Sequence, residues 1–143
     1  MILAKLAHPS CSRPPDSGRV MTEQPMQLHE LDATDILAAL RQRQTSSVEV
    51  VKALIERRRA VDDRLGAFIA RLDDEALKTA AAADAALKSE NGKGEAVPRP
   101  LLGLPLTIKD NIDVVGTDAT LGLPSRVGKP ATTDAVVVQA LRQ

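Results

Sequence analysis

One short run constrains what this chain can build. Leu104–Ile108, L-P-L-T-I, reads as a buried strand: it is apolar, ends in a β-branched pair, and is bounded by Gly103 and by charge. The segments before it carry helical periodicity instead. A single strand leaves its backbone donors and acceptors unpaired and cannot form a sheet alone. The reading is therefore three helices, a buried strand, a loop and a last helix. That order is the opening of an α/β fold whose other strands lie elsewhere.

The helices have legible starts. Leu31, Ile36, Leu37 and Leu40 form an apolar stripe, with Asp32 or Thr34 as its N-cap. Ser46 and Glu49 then make S-x-x-E, a capping box that satisfies two orphan backbone donors. Behind it, Val48, Val51, Leu54, Ile55 and Val61 share a helical face. Arg57, Arg58 and Arg59 sit mid-helix beside Glu56, Asp62 and Asp63, and read as a solvated face rather than a phosphate site. Phe68 and Ile69 fall in a short apolar stretch. Asp73, Asp74 and Glu75 then place acids in the first turn of an Ala-rich helix, where they complement its dipole. This helical part covers residues 28–90, and residues 91–100 form a Gly- and Pro-containing linker. The third part, residues 101–143, holds the strand, an extended or turn piece at I-D-V-V-G, a loop, and a helix capped by Asp134 or Thr133. Residues 1–21 carry three prolines and no helical period, and are expected to be a disordered or upstream extension, with Met1 and Met21 both possible starts.

Composition removes several functions. Among 143 residues, 19 basic side chains balance 19 acidic ones, and the only aromatic is Phe68, so neither bulk electrostatics nor base stacking supports a nucleic-acid partner. The core has to be aliphatic. Cys11 is alone and forms no intrachain disulfide, in keeping with a reducing, cytoplasmic location. His8 and His29 lack metal-ligand spacing, and no metal or cofactor is expected. No apolar run approaches about 20 residues, so no membrane anchor is expected.

Chemistry concentrates at the carboxyl end of the strand, where Lys109, Asp110 and Asn111 follow directly. Strand ends line the crevice of open α/β sheets. A lysine desolvated there would lose its proton more easily and could serve as a general base. Bringing it from its ordinary value to near neutrality corresponds to about 4–5 kcal/mol of lost charge stabilisation. On spacing alone, a solvated strand exit is the stronger reading.

The segment G-L-P-L-T-I-K-D-N-I-D-V-V-G-T-D-A-T-L-G-L-P-S-R, followed by P-A-T-T-D-A-V-V-V-Q-A-L, resembles the opening of the amidase signature family. Gly103, Pro105, Lys109, Asp110, Asn111, Ile112, Gly116, Gly122, Pro130, Ala131, Asp134 and Ala135 match in order. Upstream, S-S-V-E-V-V (Ser46–Val51), Gly66-Ala67-Phe68 and the Ala83–Leu87 helix are also similar, so the likeness covers about residues 30–143. It implies the N-terminal part of the amidase signature fold, a mixed sheet between helices. It also implies hydrolysis of carboxylic amides by a Ser–cis-Ser–Lys triad with Lys109 as the lysine. Asp110 and Asn111 would support loop geometry, and no cofactor would be used. Both triad serines lie in a Gly/Ser-rich segment downstream of the lysine in the family. Ser125, the only serine after Lys109, lacks the flanking glycines and is not assigned as nucleophile. The expectation is a fragment with one triad member, inactive alone, that aggregates or stays molten in isolation. Its full enzyme would take a small amide. The alternatives are a non-catalytic helical binding module, able to homodimerise through the N-terminal helices, or part of the amidase-like subunit of a tRNA-dependent amidotransferase.

Overall fold

The computed structural model describes residues 2–6, 27–90 and 99–142. Helix α1 (Ala33–Arg41) starts at Asp32, whose carboxylate accepts the Asp35 N–H at 2.9 Å, so Asp32 rather than Thr34 is the cap. Helix α2 (Ser47–Leu65) carries the full capping box: Ser46 Oγ accepts the Glu49 N–H at 3.2 Å, and Glu49 Oε2 accepts the Ser46 N–H at 2.8 Å. It ends at Gly66, whose φ of 58° is the left-handed turn that glycine adopts without a Cβ penalty. Helix α3 (Asp73–Glu90) opens with three acids. Helix α4 (Val136–Arg142) closes the described chain. Its start differs from the expected one. The Asp134 carboxylate accepts the Val115 N–H and pairs with Arg142, and the Val138 and Gln139 N–H groups bond to Ala135 O.

Three strands form one mixed sheet in the order β2-β1-β3. Strand β1 is Ile2–Leu6, β2 is Phe68–Arg71, and β3 is Leu106–Thr107. The first pairs antiparallel with β2 (Ala4 opposite Arg71) and parallel with β3 (Ile2 opposite Leu106). This corrects two expectations. Residues 2–6 are the central strand rather than part of a disordered extension, and Leu104–Ile108 is not an isolated strand. The physical reason is pairing: β2 and β3 each need a partner for their backbone groups, and a five-residue segment with no proline supplies both. Residues 7–21 of that extension lie outside the described residues, as do 91–98 of the linker.

The core is aliphatic, in three patches. Val51 and Ile55 of α2 meet Ala76 and Ala80 of α3, whose small side chains let the helices approach closely. Ile36, Leu40 and Val50 meet Leu104. Ile108, Val114 and Val138 pack together, with Leu72 and Leu141 against them.

The arginine run on α2 is not uniformly solvated. Arg59 is exposed, but Arg58 is buried, with 7% of its surface accessible, because it follows Val51 and Ile55 on the same stripe. Its guanidinium makes a two-pronged pair with Asp73 at the start of α3 and stacks 5.9 Å from the Phe68 ring centroid. One turn on, buried Asp62 accepts N–H groups from Ala67 (2.8 Å) and Phe68 (3.3 Å) and from Arg71 (3.0 Å), which fixes the turn from α2 into β2. Burial pushes the Asp62 carboxyl up, but these bonds outweigh it and hold it below the usual range. The hydrogen bonds from Arg58 likewise hold Asp73 down, against a smaller opposing push from burial.

Because Asp73 sits low in the folded state, its contribution is present above the ordinary carboxylate value of about 3.9 and disappears as pH falls through the folded value. Denaturant unfolding followed between pH 7 and pH 2 should show stability falling on the acid side. Arg58→Met should lower stability at pH 7 by about 2–3 kcal/mol and flatten that acid limb. In the same assay Asp84→Ala should cost about 1–2 kcal/mol, since the Asp84 carboxylate accepts the Ser47 and Val48 N–H groups at the start of α2.

Candidate active site

The strand phase places the lysine. Leu104 and Ile108 are buried and Leu106 half-buried on one face, so Thr107 and Lys109 fall on the other, and both are exposed. Lys109 thus stands at a solvated exit from the strand, without the desolvation a general base would need. Lys109 O accepts the Ile112 N–H at 3.0 Å, a turn that carries the chain away from the strand immediately after the lysine. Among the described residues no hydrogen bond joins the Lys109 side chain to a serine. Ser47 is buried and donates its hydroxyl to Gly103 O at 2.7 Å, Ser46 caps α2, and Ser125 is exposed in a 3-10 turn, Pro124–Arg126.

Asp110 and Asn111, paired with Lys109 in the sequence, take different places. Asn111 is exposed. Asp110 is buried, and its Oδ2 accepts the Thr120 hydroxyl at 2.8 Å and the Leu121 N–H at 2.6 Å. These two bonds tie Asp110 to the loop at Thr120 and Leu121. Leu121 has φ 53°, a left-handed conformation that costs an L residue about 1–2 kcal/mol, and a charge-assisted bond to its own N–H offsets that cost.

Two more carboxylates fasten the same loop, neither singled out for this part in the sequence. Asp118 Oδ2 accepts the Gly128 N–H at 2.7 Å, and Asp134 Oδ1 accepts the Val115 N–H at 2.8 Å. The backbone adds a reciprocal pair, Gly116 N–H to Ala131 O and Ala131 N–H to Thr117 O, both at 3.0 Å. Together these turn a 26-residue stretch with only a single 3-10 turn, residues 110–135, into a fixed collar beside the lysine. The available signal is the spacing of Asp, Thr and Gly, which favours side-chain bonds to loop backbone. Among the described residues no group of His, Cys, Asp and Glu could hold a metal ion. His8 and Cys11 lie outside them, and His29 sits in a 3-10 turn, Leu28–Glu30. No described helix is long and apolar enough to cross a membrane.

Comparison with known proteins gives a consistent picture. Residues 49–143 match the family model for Amidase. The chain is 40% identical to an indoleacetamide hydrolase of Bradyrhizobium diazoefficiens over 111 residues, 78% of this chain and 20% of that protein. It is 36% identical to fatty-acid amide hydrolase 2-B of Danio rerio, across all of this chain and 27% of the relative. It is 34% identical to a glutamyl-tRNA(Gln) amidotransferase subunit of Mycolicibacterium vanbaalenii, over 80% of this chain and 23% of that one. The chain thus spans about a fifth to a quarter of the length of these relatives. A solved structure from a vestigial protein complex, tied to the origins of an s-triazine catabolic enzyme, superposes with a TM-score of 0.62 at 29% identity, covering 78% of this chain and 24% of its own.

If Asp110 anchors the collar, Asp110→Ala should release the Leu121 amide. Hydrogen exchange read by NMR should speed at that amide by about tenfold or more, while the Val51 and Ile55 amides of α2 keep their protection.

Proposed function

The chain belongs to the amidase family, and we propose that it is the N-terminal portion of an amidase that hydrolyses carboxylic amides, with Lys109 as the base of a Ser–cis-Ser–Lys triad. The observation that carries this reading is the site's construction. A lysine stands two residues beyond β3, after the buried Ile108 and next to a buried aspartate that fixes the following loop. In that mechanism the neutral lysine takes a proton from the bridging serine, which takes one from the nucleophilic serine as its oxygen attacks the amide carbon. The proton returns to the amine as the C–N bond breaks, and water then cleaves the acyl–serine ester. Backbone N–H groups would stabilise the tetrahedral oxyanion. In that mechanism the segment that carries the serines has to lie against Lys109, which is exposed in this structure. The 143-residue chain is accordingly proposed to be inactive alone, to need no metal or cofactor, and to belong to a reducing, cytoplasmic compartment. The names of the relatives span an acetamide, fatty-acid amides and amidotransfer, so the amide bond is carried over and the acyl part is not.

The test is a graft. The matching segment of the indoleacetamide hydrolase is replaced by residues 28–143, and amide hydrolysis is assayed with and without Lys109→Met. Hydrolysis by the graft, cut about 10²–10⁴-fold by the substitution, supports the assignment. A graft whose turnover is indifferent to Lys109→Met overturns it. Steady amide hydrolysis by the isolated chain, abolished by Lys109→Ala, would overturn the proposal that the chain is inactive by itself.

A further inference from the structure

The lysine is supported through the residue before it. Ile108 is buried and packs on Val114 and Val138. Val138 belongs to α4 and is fully buried. The floor under the lysine therefore depends on where α4 sits. That helix has seven residues, below the roughly 12–15 at which an isolated helix becomes even marginally stable in water. Its seat must come from tertiary contacts. Val138 and Leu141 supply the apolar part.

Arg142, in the last turn, supplies the directional part. Its Nε lies 2.8 Å from Asp134 Oδ2, and its Nη1 donates to Glu75 Oε1 at 2.9 Å. Asp134 stands two residues before α4, and its other oxygen accepts the Val115 N–H at 2.8 Å. Glu75 lies in the first turn of α3, 67 residues away in the chain. One guanidinium thus joins α4, the collar at Val115, and the helical part. The two arms differ in exposure. The Asp134 side chain is 12% accessible and that of Glu75 46%, so water screens the Glu75 arm more and the Asp134 arm holds more firmly. Attraction of a cation to the end of a helix would account for any basic residue in this turn. A lysine would satisfy it as well. Two carboxylates that reach the same side chain from different segments call for a planar fork instead.

We propose that Arg142 is a positioning residue for amide hydrolysis, an inference that rests on the reading of Lys109 as the base. By bridging Asp134 and Glu75 it seats α4, and through Val138 and Ile108 it fixes where the lysine stands. Its action passes through packed side chains rather than through contact with the reacting atoms. A displacement of about 1 Å at a catalytic group can cost about 100-fold in rate, so a loosened seat has a kinetic signature.

The test has two arms. In the full chain, Arg142→Met should speed amide exchange severalfold at Val115 and Val138, whose N–H groups bond to Asp134 and Ala135, while Val51 and Ile55 of α2 keep their protection. In the indoleacetamide hydrolase that carries residues 28–143, Arg142→Met should lower kcat about tenfold and leave KM within about twofold. Arg142→Lys keeps the charge and the apolar stem, so it probes the fork even where the Met variant fails to fold, and should lower kcat about threefold. In a Lys109→Met background, Arg142→Met should cost nothing further, because both changes act through the same lysine. General damage to the fold would lower the residual turnover again, so additive losses overturn the proposal. So does kcat unchanged in both Arg142 variants, or exchange at Val115 and Val138 as slow as in the parent chain. A graft indifferent to Lys109→Met is a separate failure: it overturns the triad reading, and this proposal with it, and the lysine substitution alone reveals it.

Discussion

A buried hydroxyl and a carboxylate at the start of α2 hold this structure's segments in register. Ser47 donates its side-chain hydroxyl to Gly103 O, and its backbone N–H goes to Asp84. Three segments meet there: the second helix, the third helix, and the turn from which the lysine strand departs. Gly103 has φ 85°, and a Cβ there would come within 3.2 Å of Leu40 and 3.4 Å of Ser47. The close approach that permits the bond thus requires glycine at this position. Leu104 enters the core immediately after it, and four residues on Ile108 anchors the other end of the strand. The position of Lys109 is set by this pair of anchors rather than by any bond of its own side chain.

The charged groups on α2 work at the other end of the helical pair. Arg58 and Asp62 occupy core-facing positions that an apolar residue would fill with less electrostatic risk. A buried ion pair is weak evidence for stability, because desolvation opposes the attraction. Its effect here is directional. A planar guanidinium donates to the Asp73 carboxylate in one orientation, and Asp62 gathers three donors from the turn into β2 and from Arg71 at the end of that strand. The aliphatic contacts alone would tolerate sliding of α3 along α2, since alanines present a smooth surface. The charge pairs remove that freedom.

How much of this is legible in the sequence follows from range. The capping box at Ser46, the cap at Asp32 and the helices they start are local, made by residues three apart, and the sequence displays them directly. The K-D-N run directly after an apolar segment is legible for the same reason. Arg58 is readable in principle, because Val51, Ile55 and Arg58 share one helical phase, but the run of three arginines masks it. The exposure of Lys109 reflects what covers the strand end, a tertiary matter that periodicity does not report. Strands β1 and β2 escape a local reading because they are four or five residues long and owe their existence to partners far away in the chain. Ile69, 57% exposed within β2, shows how little burial such a strand needs once its backbone is paired.

The strand order β2-β1-β3 has a consequence for the path by which the chain reaches its structure. The central strand precedes both of its neighbours and leaves a ribosome before them, yet one lies some 65 residues later and the other about 100. The helical pair α2–α3, with only β2 between its helices in the chain, is complete before the third strand has been synthesised. Strand β2 is made before α3, so β1 can pair with it early, and only the pairing with β3 must wait until residue 107 has been synthesised. Loop-closure entropy rises only slowly with length, so the long delay adds little to the cost of final pairing. It does expose the edge of β1 to other strands throughout that interval, which makes its encounter with a second nascent chain the principal hazard on the way to this fold.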